Sequence, residues 1–212
     1  MNNDNNPIKT LNEIKGYMES SVRFISLSGL SGVFAGVFAI LGAASAYICL
    51  NTSILDTQYY NGFSAQSSSG INLMTFFIID ALVVLTLALT FGIWLTSRKA
   101  RKLNLPLWSK TSKLLIINLF IPLFVGGVFC LVLLYHHLIA LIAPSMLVFY
   151  GLGLFNAGKF AQKEIRILGL IECFLGLSGC IFIGYGLILW AFGFGVLHIV
   201  YGGIMYYKYD RC

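Results

Sequence analysis

Six stretches of almost unbroken apolar residues alternate with short polar connections along the chain, near 24–49, 73–96, 114–135, 138–157, 167–189 and 192–207. A helix needs about 20 mostly apolar residues to cross a bilayer. The pattern therefore predicts an all-α fold: a polytopic bundle of six transmembrane helices. The last stretch is the shortest and opens with Ala191-Phe192-Gly193-Phe194-Gly195. At 1.5 Å per residue it reaches only about 24 Å, so it thins the bilayer locally or continues through Tyr209. No connection is long enough to hold a folded domain. The chain reads as a cytoplasmic lead, 1–22, followed by one transmembrane domain, 23–212.

Within that lead, residues 7–21 place Ile8, Leu11, Ile14 and Met18 on one helical stripe, with Asn6 as a cap and Pro7 at the first helical position. Lys9 and Lys15 stand beside the stripe. This predicts a short amphipathic helix lying on the inner leaflet. Ala44-Ser45-Ala46 resembles a signal-peptide cleavage site, but the apolar run before it is longer than the roughly 7–15 residues of such signals. The segment is expected to stay. The polar connection 50–72 carries Asn51-Thr52-Ser53, a glycosylation sequon that has no meaning in a bacterium.

Composition agrees with the pattern. The 212 residues are 58% hydrophobic and 10% charged, whereas soluble domains are roughly 45–50% apolar and 25% charged. A water-soluble domain, a disordered tail, a collagen and a disulfide scaffold are all excluded. The 22 glycines fit a membrane bundle, because small residues let helices approach closely.

Charge sets the orientation. Lys9, Lys15 and Arg23 precede the first span; Arg98, Lys99, Arg101, Lys102, Lys110 and Lys113 lie between spans two and three. Lys159, Lys163 and Arg166 lie between spans four and five, and Lys208 and Arg211 follow the last. The other connections carry no basic residue, so the bias toward positive cytoplasmic loops predicts both termini inside. The net charge of +6 follows from this topology and calls for no nucleic acid. The basic segment 98–113 is expected to meet anionic lipid headgroups, at about 1 kcal/mol per residue. Trp94, Trp108 and the cluster Tyr206, Tyr207, Tyr209 mark the inner interface, and Trp190 the outer one.

The first span carries small residues at helical spacing, Ser28, Gly32 and Gly36, with a second row of Ser31, Ala35, Ala39 and Ala43. They form a close-packing face toward another span or a second subunit. Gly29-Leu30-Ser31-Gly32 recurs as Gly176-Leu177-Ser178-Gly179, a hint of parallel repeated hairpins. A rival symmetry, inverted halves, would match Asp80 with Glu172. The five cysteines form no C-x-x-C pair and read as packing residues.

Ionisable groups inside spans cost roughly 2.5–3.5 kcal/mol near the centre, so each is a candidate for function. Asp80 and His198 are each about 10 Å in from the outer side by helical rise. His136 and His137 sit at the outer turn close to that level, so Asp80, His136, His137 and His198 form one candidate polar site. Imidazoles ligate haem, copper or zinc, and a His–Asp pair relays protons. The plainer reading is a hydrogen-bonded structural pair. A second group lies toward the cytoplasm: Asn118, Asn156, Lys159 and Glu172, the last able to pair with Lys159. Pro122 and Pro144 free the carbonyls of Asn118 and Ala140, as in the bent helices of transporters and, more often, as simple kinks in any membrane helix.

The run Arg23-Phe24-Ile25-Ser26-Leu27-Ser28-Gly29-Leu30-Ser31-Gly32 and the close Tyr206-Tyr207-Lys208-Tyr209-Asp210-Arg211 resemble a group of uncharacterised bacterial six-span membrane proteins. The resemblance implies the bacterial cytoplasmic membrane and brings no activity with it. No G-x-S-x-G, H-E-x-x-H or phosphate-cradling loop is present, which weighs against an enzyme. Three functions stay open. First comes a non-catalytic accessory, scaffold or sensory subunit with a membrane-protein partner. The second is a small proton- or ion-coupled permease using Asp80 and Glu172, plausibly a homodimer. The third is a redox protein with outer-side histidine ligands; otherwise no cofactor is expected.

Overall fold

The computed structural model describes residues 28–50, 73–104 and 108–211. The expected amphipathic helix over 7–21, the connection 51–72 with its sequon, and the start of the Arg23 run lie outside the described residues. Among the described residues every regular element is a helix: α1 Gly29–Leu50, α2 Leu73–Lys102, α3 Lys110–Tyr135, α4 Ile142–Ala157, α5 Lys163–Ile181 and α6 Gly186–Asp210. A single 3₁₀ turn, Ile139–Leu141, leads into α4. Two segments of α6, Ala191–Leu197 and Tyr206–Asp210, are wound as π-helix.

Five of the six helices are long and apolar enough to cross a membrane. The exception is α5, where Lys163, Glu164, Arg166 and Glu172 interrupt the apolar surface. The last two spans also end elsewhere than the hydrophobic pattern predicts. Helix α5 stops at Ile181, not near 189, and α6 begins at Gly186, not 192. The reason is local. Gly184 adopts φ 112°, a left-handed conformation open to glycine, and reverses the chain between two apolar segments that share one unbroken hydrophobic run. Helix α6 thereby becomes a full-length element of 25 residues.

The packing order follows from glycines. Helix α1 lies between α2 and α6, α4 lies between α3 and α5, and the first half of α6 closes on α4. A methyl group on Gly36 would stand 2.5 Å from the Gly195 carbonyl, and one on Gly151 would stand 2.5 Å from that of Gly169. Only glycine permits these two backbone approaches. The small-residue face of α1 at Gly32 and Gly36 is thus turned to α6 of the same chain. The two Gly-Leu-Ser-Gly copies meet different neighbours: Gly29 abuts α6, whereas Gly176 abuts Pro144 and Val148 of α4.

Helices α2 and α3 are flanking elements, α2 resting on α1 through Phe34, Phe38 and Phe91, and α3 on α4 through Phe129 and Phe149. Their remaining surfaces expose Leu82, Leu89, Ile93, Phe120, Phe124 and Leu131. In lipid such faces carry no penalty, because hydrocarbon tails are as apolar as leucine. The two prolines are unequal. Pro122 sits inside α3, whereas Pro144 is in the first turn of α4, where its missing N–H would lack a helical partner anyway.

Candidate functional site

Two residues stand at the midpoints of their helices: Glu172 in Lys163–Ile181 and His198 in Gly186–Asp210. The crossing of α5 and α6 brings them together. His198 Nδ1 lies 3.6 Å from Glu172 Oε1 and 3.0 Å from the carbonyl oxygen of Gly193. A carbonyl only accepts, so Nδ1 carries a hydrogen; in the neutral ring Nε2 then accepts from the hydroxyl of Tyr150 on α4, at 2.7 Å. The imidazole is held on both sides and is 6% exposed.

The local sequence explains the pose. Trp190, Phe194 and His198 recur every four residues, and the Phe194 ring lies 22° from the plane of the imidazole and 4.9 Å from Tyr150. The π-wound segment adds a residue to the turn before His198, a distortion found often at functional positions. Gly193 serves both partners. Its carbonyl holds the imidazole, and a methyl group there would stand 2.5 Å from Glu172 Oε2 and from Leu147.

Glu172 is the unusual member. Its side chain is 0% exposed and neither carboxyl oxygen has a hydrogen-bond partner among the described residues. Breaking off a lone buried charge costs several kcal/mol in a protein interior. Two arrangements avoid it: a protonated carboxyl beside a neutral imidazole, or a carboxylate beside an imidazolium. Both hold the same number of protons. Loss of one more proton leaves a bare negative charge among apolar side chains.

The remaining candidates are distributed differently from the two groups read off the sequence. Asp80, on α2, faces α1: the Ser45 hydroxyl is 2.7 Å from Asp80 Oδ1 and 2.8 Å from the Gly42 carbonyl. His136 and His137 are exposed and end α3. His137 takes φ 57°, its N–H bonds the Leu134 carbonyl at 3.1 Å, and the Leu138 N–H bonds that of Leu133 at 2.9 Å. This is the six-to-one closure of a helix C-terminus, with histidine in the place glycine usually takes. Asn118 donates to the Leu114 carbonyl one turn back, Asn156 accepts from the Lys159 backbone, and Lys159 is exposed. Glu172 of the inner group therefore meets His198 of the outer group, and His198 in turn meets Tyr150.

Tyr150, Gly193 and Tyr201 belong to neither candidate group read from the sequence. A tyrosine in the middle of an apolar stretch was the available signal for Tyr150, since aromatic belts place tyrosine at interfaces instead. For Tyr201 the signal was its place one turn after His198; its hydroxyl is buried with no hydrogen-bond partner among the described residues.

The end of the bundle that carries the basic residues is tied by ionic contacts. Asp210 Oδ2 accepts from the Gly29 N–H at 2.8 Å and the Ser28 hydroxyl at 3.2 Å, and Lys99 Nζ lies 2.6 Å from Oδ1. The last turn of α6 thus caps α1 and pairs with α2. On the other side Glu164 of α5 pairs with Lys208 and accepts from the Tyr209 hydroxyl at 3.3 Å. Among the described residues no three His, Cys, Asp or Glu side chains converge as a metal site. No protein family, curated protein or solved structure matches the chain.

Proposed function

We propose that this is a six-span protein of the bacterial cytoplasmic membrane with both termini inside, working as a small proton-coupled carrier for a cationic solute. The single observation behind this reading is Glu172, a wholly buried carboxyl without a hydrogen-bond donor among the described residues, beside the imidazole of His198. Its position at the middle of α5 is the depth at which carrier sites occur. The sixth span is α5 itself, whose length of about 28 Å matches the bilayer core and whose charges other than Glu172 gather in its first turn. Proton loss leaves an uncompensated charge, so deprotonation favours the arrival of a positive solute. Proton-for-cation exchange follows from that electrostatic balance.

The test uses energised inside-out vesicles containing the protein and a pH-indicating dye in the lumen. Adding sodium, potassium or choline chloride is expected to release lumenal protons for at least one cation, and Glu172→Gln is expected to abolish the release. Equal responses in the variant and in vesicles lacking the protein would refute the carrier.

A second reading has its own support. Helices α2 and α3 are packed along one side only, which suits an accessory membrane subunit with a partner on those flanks or at the basic segment 98–113. A partner that co-purifies stoichiometrically and is lost when that segment is neutralised would favour it. The redox reading has weaker support, since both nitrogens of His198 are engaged by Tyr150 and Gly193. An absorption spectrum of the purified protein, oxidised and reduced, distinguishes it from the other two.

A further inference from the structure

Trp190, Phe194 and His198 form a ladder on α6 that climbs about 6 Å per step, from the end remote from the basic residues to the midpoint. Phe194 is its central rung. The Phe194 ring centroid lies 5.2 Å from Trp190, 4.9 Å from Tyr150 of α4 and 6.0 Å from the imidazole. The imidazole then faces Glu172 across 3.6 Å. Trp190, Phe194 and Tyr150 are half-buried, so the ladder leads from the surface of the bundle to a wholly buried carboxyl. Among the described residues, side-chain cations lie over Trp94, Phe155, Tyr207 and Tyr209, and none lies over Trp190, Phe194 or Tyr150. Neither α4 nor the part of α6 before Lys208 holds a lysine or arginine. Aromatic faces attract cations, tryptophan most strongly, and the negative charge left by proton loss at Glu172 attracts the same sign. Oxygen is scarce by comparison. The Gly193 carbonyl and the Tyr150 hydroxyl are engaged by His198, and Leu147 and Leu175 crowd Gly193 beside the carboxyl. A bare alkali ion needs a ring of oxygens to replace its hydration shell. A quaternary ammonium ion carries its own apolar shell and needs none.

We infer that the solute exchanged for the proton of Glu172 is a quaternary ammonium ion, guided to the carboxyl along Trp190, Phe194 and Tyr150. This rests on the reading of Glu172 as the proton site of a carrier and names the substrate class of that site. The exchange balances in charge and atoms. A protonated carboxyl beside a neutral imidazole carries no net charge. One proton leaves the carboxyl as one monovalent cation arrives, so the loaded site, a carboxylate beside the ammonium ion, is neutral again. No covalent bond to the solute forms or breaks. On its way the ion is held by the attraction that binds such groups in aromatic cages. Phe194 touches every other ring of the ladder, so an aliphatic side chain there keeps the apolar packing and removes the central π face. The basic end has no equivalent. There Asp210 and Glu164 are paired with Lys99 and Lys208, and arginine or lysine already lies over the rings of Tyr207 and Tyr209.

The experiment uses the purified full chain in proteoliposomes with an acidic lumen and a trapped pH-indicating dye. Tetramethylammonium, choline, sodium or potassium chloride is added outside at equal concentration. The two quaternary ions are expected to release lumenal protons, sodium and potassium about tenfold less, and Glu172→Gln to abolish every response. Infrared difference spectra should show tetramethylammonium diminishing the carboxyl stretching band of Glu172, assigned by its loss in Glu172→Gln. Phe194→Leu is expected to raise the half-saturating tetramethylammonium concentration about tenfold with the maximal rate kept, while Phe194→Tyr stays close to the parent. Trp190→Leu should act in the same direction as Phe194→Leu. Release by sodium or potassium that requires Glu172, with none by the quaternary ions, overturns the inferred substrate and leaves the carrier standing. The cation order of the parent decides this without any variant. Equal half-saturation in Phe194→Leu and the parent overturns the ladder as the guide. Absence of Glu172-dependent release by any of the four cations overturns both readings.

Discussion

Two carboxylates of this protein have been treated in opposite ways. Asp210 is surrounded by donors: a helix N-terminal amide, a serine hydroxyl and a lysine ammonium. Glu172 is more deeply buried and has no donor within hydrogen-bond distance among the described residues. Asp210 ties three helix ends, α1, α2 and α6, into one unit, and its negative charge is an asset at the positive N-terminus of α1. At Glu172 a fixed negative charge is a liability, which is what a group that trades a proton requires. Donor supply, more than burial, separates these two carboxylates.

The comparison breaks at measurable points. The largest effect is expected from Asp210→Ala, which removes the cap of α1 and the partner of Lys99 together. Loss of about 3 kcal/mol in thermal unfolding in detergent is expected. A loss no greater than that of an ordinary surface substitution would mean the clasp is ornamental. Gly193→Ala comes next, at about 1–3 kcal/mol, because the added methyl meets both Glu172 and Leu147. It should also alter the Glu172 infrared band, which a purely packing-related loss at a distant glycine would not do. Glu172→Gln is expected to change stability by less than about 1 kcal/mol in either direction, since no hydrogen bond is lost. Its proton exchange should nevertheless vanish. A large destabilisation there would make Glu172 a structural residue like Asp210.

The smallest effect is expected at Glu164. Glu164→Gln removes the charge that faces the exposed Lys208, and solvent screening there keeps the loss in thermal unfolding below about 1 kcal/mol. A loss as large as that of Asp210→Ala would make this pair a second clasp.

The flanking helices sharpen a second contrast. The apolar pattern that makes α2 and α3 legible in the sequence is directed at lipid, so it announces the span and says nothing of its neighbours. The central helices are read less well. Both the end of α5 and the start of α6 fall inside one hydrophobic run, and Gly184 alone marks the turn. With those ends misplaced, His198 seemed to lie near the outer side beside Asp80, and Glu172 near the inner side beside Lys159. In the folded chain both occupy the midpoints of their helices and face each other.

The sequence by itself determined that the chain is helical and apolar, that ionisable groups inside its spans are few, and that the basic residues gather in alternate connections. Those properties follow from composition and from spacing along the chain, which need no knowledge of neighbours. Only the tertiary structure decided which of the few polar groups meet. Pairing depends on the rotation of each helix about its axis, and that rotation is set by where backbones come close: Gly36 on Gly195, Gly151 on Gly169, and the π-wound segment that turns His198. Distance along a helix gives depth. The direction a side chain faces comes from packing, and Glu172 faces His198 because the glycines around it leave room.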